Sequence, residues 1–214
     1  MVSIQAKVLA RLTRPNRTGV VTPKDFLDLG NRDAVDQAMH RLVRKGALTR
    51  LGRGVYHFPR QNTRLGLLVP PDPDDIAGAL ARQLGARIAP SGGLAANQLG
   101  LSTQVPASMV YHTDGRGRTL QVGKMQVQLK HVPPKEMPSG SPTSAAVFQA
   151  LRFIGPAGVD DDVVAKLRAR LTPAQRRALA RDAKYAAGWM MEVARKVADT
   201  AGGNEANKKG EKHG

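Results

Sequence analysis

Between residues 31 and 46 the sequence NRDAVDQAMHRLVRKG separates into two sets of side chains with different chemistry. Arg32, Asp33, Asp36, Gln37, His40, Arg41 and Arg44 fall on one side of a helical period, and Ala34, Val35, Ala38, Met39, Leu42 and Val43 form an apolar stripe on the other. The polar set can tell base pairs apart from the major groove. An arginine fork matches the acceptors of guanine, glutamine matches adenine, and a carboxylate accepts from the amino group of cytosine. Lys45, at the end of the stretch, suits a phosphate or the negative end of the helix dipole. Upstream, Thr22-Pro23 reads as a helix start whose free N–H groups, with Lys24, would hold a phosphate. Downstream, Arg53 sits in a Gly-Arg-Gly turn flanked by Arg50 and Arg60, where it would enter a minor groove or follow a backbone. The partner implied is double-stranded DNA: phosphate contacts supply affinity and salt dependence, and only the helix side chains specify sequence.

Short elements must position these residues. Ile4, Val8, Leu9 and Leu12 recur at helical spacing behind Ser3, which predicts a helix over 4–13. Pro15, Asn16 and Gly19 break the chain, and Val20-Val21 can make a very short strand. A second helix starts at Thr22, carries Phe26, Leu27 and Leu29, and stops at Gly30; Asn31 caps a third, closed by Gly46. A hairpin follows, with strands at 47–51 and 55–58 and glycines at both ends of the 52–54 turn to supply positive φ. Three short helices and then a hairpin is the order of a winged helix-turn-helix. The expected DNA-binding set is Thr22, Lys24, Asn31, Arg32, Asp36, Gln37, His40, Arg41, Arg44, Lys45, Arg50 and Arg53.

The charge distribution points the same way. The 214 residues hold 33 Lys and Arg against 17 Asp and Glu, a net charge of +16. Residues 1–69 account for 13 of the basic and 4 of the acidic groups, so more than half of the excess lies in the first third, as a polyanion partner requires. The bland readings are a generally basic protein, a solvated helix face, or a winged helix used as a protein-interaction module. There is no cysteine, which excludes disulfides and thiolate metal sites and fits a reducing cytoplasm. No apolar run is long enough for a membrane span, and the first residues do not read as a signal peptide.

Beyond residue 60 a linker carries the patch LGLLV, which reads as a docked strand or arm, and ends in Pro70-Pro71, after which Asp74 or Asp75 caps a helix to about Leu84. After Ile88-Ala89-Pro90 a helix is expected over Leu94–Leu99, and then strands around 108–113, 118–122 and 125–132. A Pro-, Ser- and Gly-rich loop covers 133–142. Helices follow at 143–153 with Thr143 as cap, at about 160–170, and from Thr172-Pro173 as one long helix to about Ala198. The last fourteen residues are small, polar and charged, and are expected to be disordered. The expected fold class is α+β: a winged helix-turn-helix over 1–62, a mixed α/β domain over 70–135, C-terminal helices over 140–200 packed on it, and the tail 201–214.

The run Val35-Asp36-Gln37-Ala38-Met39-His40-Arg41-Leu42-Val43-Arg44-Lys45-Gly46, with Leu48 to Tyr56 after it, resembles the N-terminal winged helix of the AbiEi family of antitoxins from type IV toxin–antitoxin and phage-resistance loci. The segment from Ser91 to Thr103, with its Gly-Leu-Ser-Thr end, and the later Asp182-Ala183-Lys184-Tyr185 with Trp189-Met190 are similar to the same group. The resemblance implies a sequence-specific autorepressor of its own operon, acting on inverted repeats, that also counters a nucleotidyltransferase toxin without stably binding it. A stand-alone winged-helix regulator with a ligand- or partner-sensing C-terminal domain is the alternative.

Enzymatic patterns are weaker, and neither catalysis nor a cofactor is expected. Pro90-Ser91-Gly92-Gly93 is similar to a triphosphate-holding turn, yet no Asp or Glu occurs between Asp75 and Asp114 to hold the metal ions such a site needs. Asp114 with Gln128 and Lys130 makes a poor nuclease set, because Asp114-Gly115 reads first as a turn. Asp160-Asp161-Asp162 falls where a helix begins and suits its dipole. The five histidines lack ligand spacing, and Trp189-Met190-Met191 reads as core packing.

Overall fold

The computed structural model describes residues 2–14, 19–62, 66–104 and 106–199, apart from the side chains of Asn62 and Tyr185. The expected break at Pro15-Asn16 and the expected disorder of 201–214 lie outside the described residues. The chain is α+β and divides into two compact units, Met1–Ile88 with Ala107–Met137, and Ala89–Pro106 with the chain from Pro138 on.

The first unit begins with α1 (Ile4–Leu12), β1 (Val20–Val21), a 3₁₀ turn (Pro23–Phe26) and α2 (Arg32–Arg44). Ser3 Oγ accepts from the Ala6 N–H at the start of α1, and Asn31 Oδ1 accepts from the Ala34 N–H at 2.9 Å at the start of α2. The antiparallel hairpin of β2 (Thr49–Gly52) and β3 (Val55–His57) follows, and β1 pairs on the other side of β3, giving the strand order β1-β3-β2. Val8, Leu12, Val21, Phe26, Val35, Met39, Leu42, Leu48 and Tyr56 close one core beneath these elements. At about 1.5–3 kcal/mol for each large apolar side chain removed from water, burial rather than helix propensity holds α1 and α2 in place.

Three local expectations change. The helix expected from Thr22 to Leu29 is a single 3₁₀ turn. Its Asp25 carboxylate is engaged by the Thr22 N–H at 2.8 Å and by Arg82 Nε at 2.9 Å, which ties the turn down before it can propagate. In the hairpin only Gly54 has a positive φ, of 70°. Gly52 serves another purpose: a Cβ there would stand 2.5 Å from Leu120 Cδ1. The LGLLV patch of the linker does form a strand, but it pairs in a hairpin of its own, β4 (Arg60–Asn62) with β5 (Leu67–Val69), and leaves Leu67, Leu68 and Val69 exposed rather than docked.

The unit continues with α3 (Pro73–Leu84), capped by Asp72 rather than by Asp74 or Asp75, because Pro73 fits the first helical position. Next come β6 (Ile88–Pro90), β7 (Met109–Thr113), β8 (Arg118–Val122) and β9 (Met125–His131). β7 and β9 are parallel and β8 and β9 form a tight antiparallel hairpin, so within this unit the order is β7-β9-β8. The expected separation of 1–62 from 70–135 is not what the structure forms, because hydrogen bonds stitch the two segments together. Asp75 Oδ2 accepts from the Gly19 N–H at 2.9 Å, and Arg82 donates to the Val20 carbonyl at 3.1 Å as well as to Asp25.

His57, at the end of β3, is 7 % exposed beside Gly19. Burial pushes its pKa down and the nearby Asp75 carboxylate offsets this only in part. The unfolded chain therefore binds this proton more readily than the native one, so the stability His57 contributes is present above its unfolded value near about 6.5 and lost as pH falls through the range below it. The melting temperature is expected to drop between pH about 7 and about 5, and His57→Gln should flatten that part of the profile. Thermal melts of both proteins across that range check the slope.

The second unit holds α4 (Gly92–Gln98), α5 (Pro142–Ile154), α6 (Asp161–Arg170), α7 (Pro173–Asp182) and α8 (Gly188–Ala198). Ser141 caps α5 in place of the expected Thr143, since Pro142 again takes the first helical position. The expected single helix from Thr172 to Ala198 breaks after Asp182 into a 3₁₀ turn, Ala183–Tyr185, before α8 begins. Leu179, Met190, Val193, Ala194 and Val197 all belong to one core around Leu167, and a straight helix would carry its far half away from it. Asp182 also accepts the Ser141 N–H at 2.8 Å.

Candidate nucleic-acid interface

The apolar stripe of α2 buries Val35, Ala38, Met39 and Leu42, which forces its opposite face outward. The β2–β3 hairpin rises beside that face because Tyr56 and Leu48 anchor it in the same core. Between them lies an open groove of about 620 Å³, lined by Arg32, Asp36, Gln37, His40, Arg41 and Arg44 from α2 and by Arg50, Arg53, Gly54 and Tyr56 from the hairpin, with Gln83 at its rim. Five arginines face one carboxylate. Arg32 Nε donates to Asp36 Oδ2 at 2.8 Å, an exposed i,i+4 pair that holds Arg32 along the helix. Among the described residues, Arg41 and Arg44 hold no ion pair, so their forks are open to a ligand. Such a surface suits an extended polyanion: several guanidinium groups along about two helical turns match phosphates and guanine edges.

Of the twelve expected contact residues, eight line this groove: Arg32, Asp36, Gln37, His40, Arg41, Arg44, Arg50 and Arg53. Four do not. Thr22 is fully buried, so its side chain cannot meet a phosphate, and the single 3₁₀ turn after it lacks the stacked peptides that give a helix terminus its charge. Asn31 is occupied in capping α2. Lys24 and Lys45 are exposed outside the groove. Sequence reasoning missed Tyr56 and Gln83 of this lining, and Arg118, which lies outside the groove and bonds the Arg53 carbonyl. Tyr56 reads only as core, and Gln83 and Arg118 lie far along the chain with no motif around them.

Several carboxylates of the enzymatic patterns have structural partners. Asp114 accepts from Arg87 N–H at 2.8 Å and Arg87 Nε at 2.7 Å, which hold its carboxyl below the usual range. Asp160 caps α6 and Asp162 pairs with Lys166. Gly92 lets α4 approach α5, because a Cβ there would stand 2.7 Å from Phe153 Cβ. Among the described residues no group of three or more His, Asp or Glu is placed to hold a metal ion, and no helix is long and apolar enough to cross a membrane.

The structure thus defines an α+β protein whose N-terminal part presents an arginine-lined groove between an amphipathic helix and a hairpin. The chain belongs to DUF6088, a family of unknown function, whose model matches residues 7–179. No curated protein matches it. Among solved structures it is similar to the RV2827C protein from Mycobacterium tuberculosis, at 19 % identity over 94 % of this chain and 78 % of that one, with a TM-score of 0.43.

Proposed function

We propose that residues 1–62 are a winged helix-turn-helix that binds double-stranded DNA, with α2 in the major groove and the β2–β3 hairpin as the wing. The observation that carries this reading is the convergence of Gln37, His40, Arg41 and Arg44 with Arg50 and Arg53 on one open, basic groove. The element order and the β1-β3-β2 pairing support it, as does the excess of positive charge in the first third of the chain. Arg41, Gln37 and His40 read base edges, and Arg50 and Arg53 meet phosphates. The resemblance to the AbiEi family extends the proposal. The protein works in the cytoplasm as repressor of its own operon and as the antitoxin of a nucleotidyltransferase toxin.

A gel-shift titration of the purified protein on its own upstream DNA and on a scrambled duplex, at two salt concentrations, tests the DNA-binding half. The expected result is selective binding that weakens steeply with salt. Equal, weak binding to both duplexes would move the groove's role to a protein partner. Co-expression with a nucleotidyltransferase toxin, where one is encoded beside this chain, tests the antitoxin half; unrelieved toxicity would leave a stand-alone regulator.

A further inference from the structure

The hairpin tip is held by residues far along the chain from α2 and the hairpin, one of them at the groove's rim. The Arg53 carbonyl accepts from Gln83 Nε2 at 3.2 Å and from Arg118 Nη2 at 3.0 Å, and Arg118 Nη1 donates to Gln83 Oε1. Three residues 30 and 65 positions apart thus close a small triangle of hydrogen bonds on one peptide. Gly54 permits it: with φ of 70°, and with any Cβ there colliding with Gln83 Nε2, only glycine lets the amide reach the turn. Leu120, two residues after Arg118 on β8, packs where a side chain on Gly52 would stand. Gln83 is itself fixed, since α3 is tied to the helical segment through Asp75 and through Arg82.

We propose that Gln83 and Arg118 are positioning residues that clamp the hairpin by its Arg53 carbonyl and so set the Arg53 guanidinium at the groove for a DNA phosphate. The inference rests on the DNA-binding reading of the groove. A two-stranded hairpin in water samples many tip conformations, and ordering it on binding would reduce affinity; a tip ordered beforehand avoids that cost. Gln83 contributes no charge, so any change it makes in the salt slope must pass through the geometry of the turn.

The test uses the full chain with Gln83→Ala, a change that favours helix and removes no charge. Loss of one phosphate contact should lower affinity about five-fold near physiological salt and reduce the salt slope by about one, matching Arg53→Ala. Adding Arg53→Ala to Gln83→Ala should then cost little more, whereas a merely structural role for Gln83 would leave the Arg53 effect undiminished. Arg118→Gln, which keeps a donor but loses the fork, should fall between. Amide hydrogen exchange at 52–54, measured without DNA, should quicken in Gln83→Ala. A wild-type salt slope, full additivity or unchanged exchange would each overturn the clamp. Absence of selective DNA binding by the unaltered protein, with exchange still quickened, would instead overturn the DNA-binding reading and leave the clamp standing as a property of the hairpin.

Discussion

Arg41→Ala is expected to weaken binding to the operator by about 1–3 kcal/mol and to relax the preference at one or two base pairs. Arg41 is the residue on which the groove's chemistry concentrates. It is exposed on α2, one helical turn beyond Gln37, and stands between Gln37 and Arg44 on the face that meets the hairpin. Its guanidinium is not engaged by any carboxylate among the described residues, in contrast to Arg32, whose Nε is bonded to Asp36 at 2.8 Å. A free planar fork of this kind makes two parallel hydrogen bonds to guanine, and losing both leaves two acceptors on the base unpaired. Titrating wild type and variant against the operator and single-base variants separates the roles. A loss confined to certain base pairs identifies a base contact; an even loss with a shallower salt slope identifies a phosphate contact. Unchanged affinity would mean that DNA does not enter this groove.

Leu167→Ala is expected to destabilise the second unit by about 2–5 kcal/mol, a large part of the roughly 5–15 kcal/mol that a domain possesses. Leu167 on α6 is fully buried and shares its core with Leu151 and Val147 from α5, Leu179 from α7, and Met190, Val193 and Val197 from α8. Three other helices therefore share the core with this side chain, and none can shift inward to fill the lost volume without moving the others. The spread of the expected value reflects how far the cavity collapses. Denaturant titration followed by far-ultraviolet circular dichroism, with Leu167→Ile as a volume-conserving control, reads the shift in midpoint. A loss below about 1 kcal/mol would show that the four-helix core repacks freely around this position.

Elements whose causes are local were legible in advance. The amphipathic α2 and its Asn31 cap, the start of α1 at Ser3, and the β8–β9 hairpin around Gly123 all follow from side-chain period, capping and turn chemistry within a few residues. So do the six groove residues of α2, because an apolar stripe on one side of a helix dictates which side chains face outward. The misplaced elements have distant causes. Capping chemistry alone places Thr22 at the surface, but the turn after it is tied to Arg82 and Thr22 itself is buried. The break after Asp182 comes from a shared core and from Ser141, neither visible in the period of 173–198.

The sequence by itself determined which helix face is basic and polar, because helical geometry converts spacing directly into direction. Only the tertiary structure decided that the hairpin stands opposite that face, that Gln83 and Arg118 hold its tip, and that 1–88 and 107–137 fold as one unit. Those features depend on pairs of groups tens of residues apart, whose hydrogen bonds and packing form only after the chain has closed its long loops, and residue spacing along the chain carries no record of them.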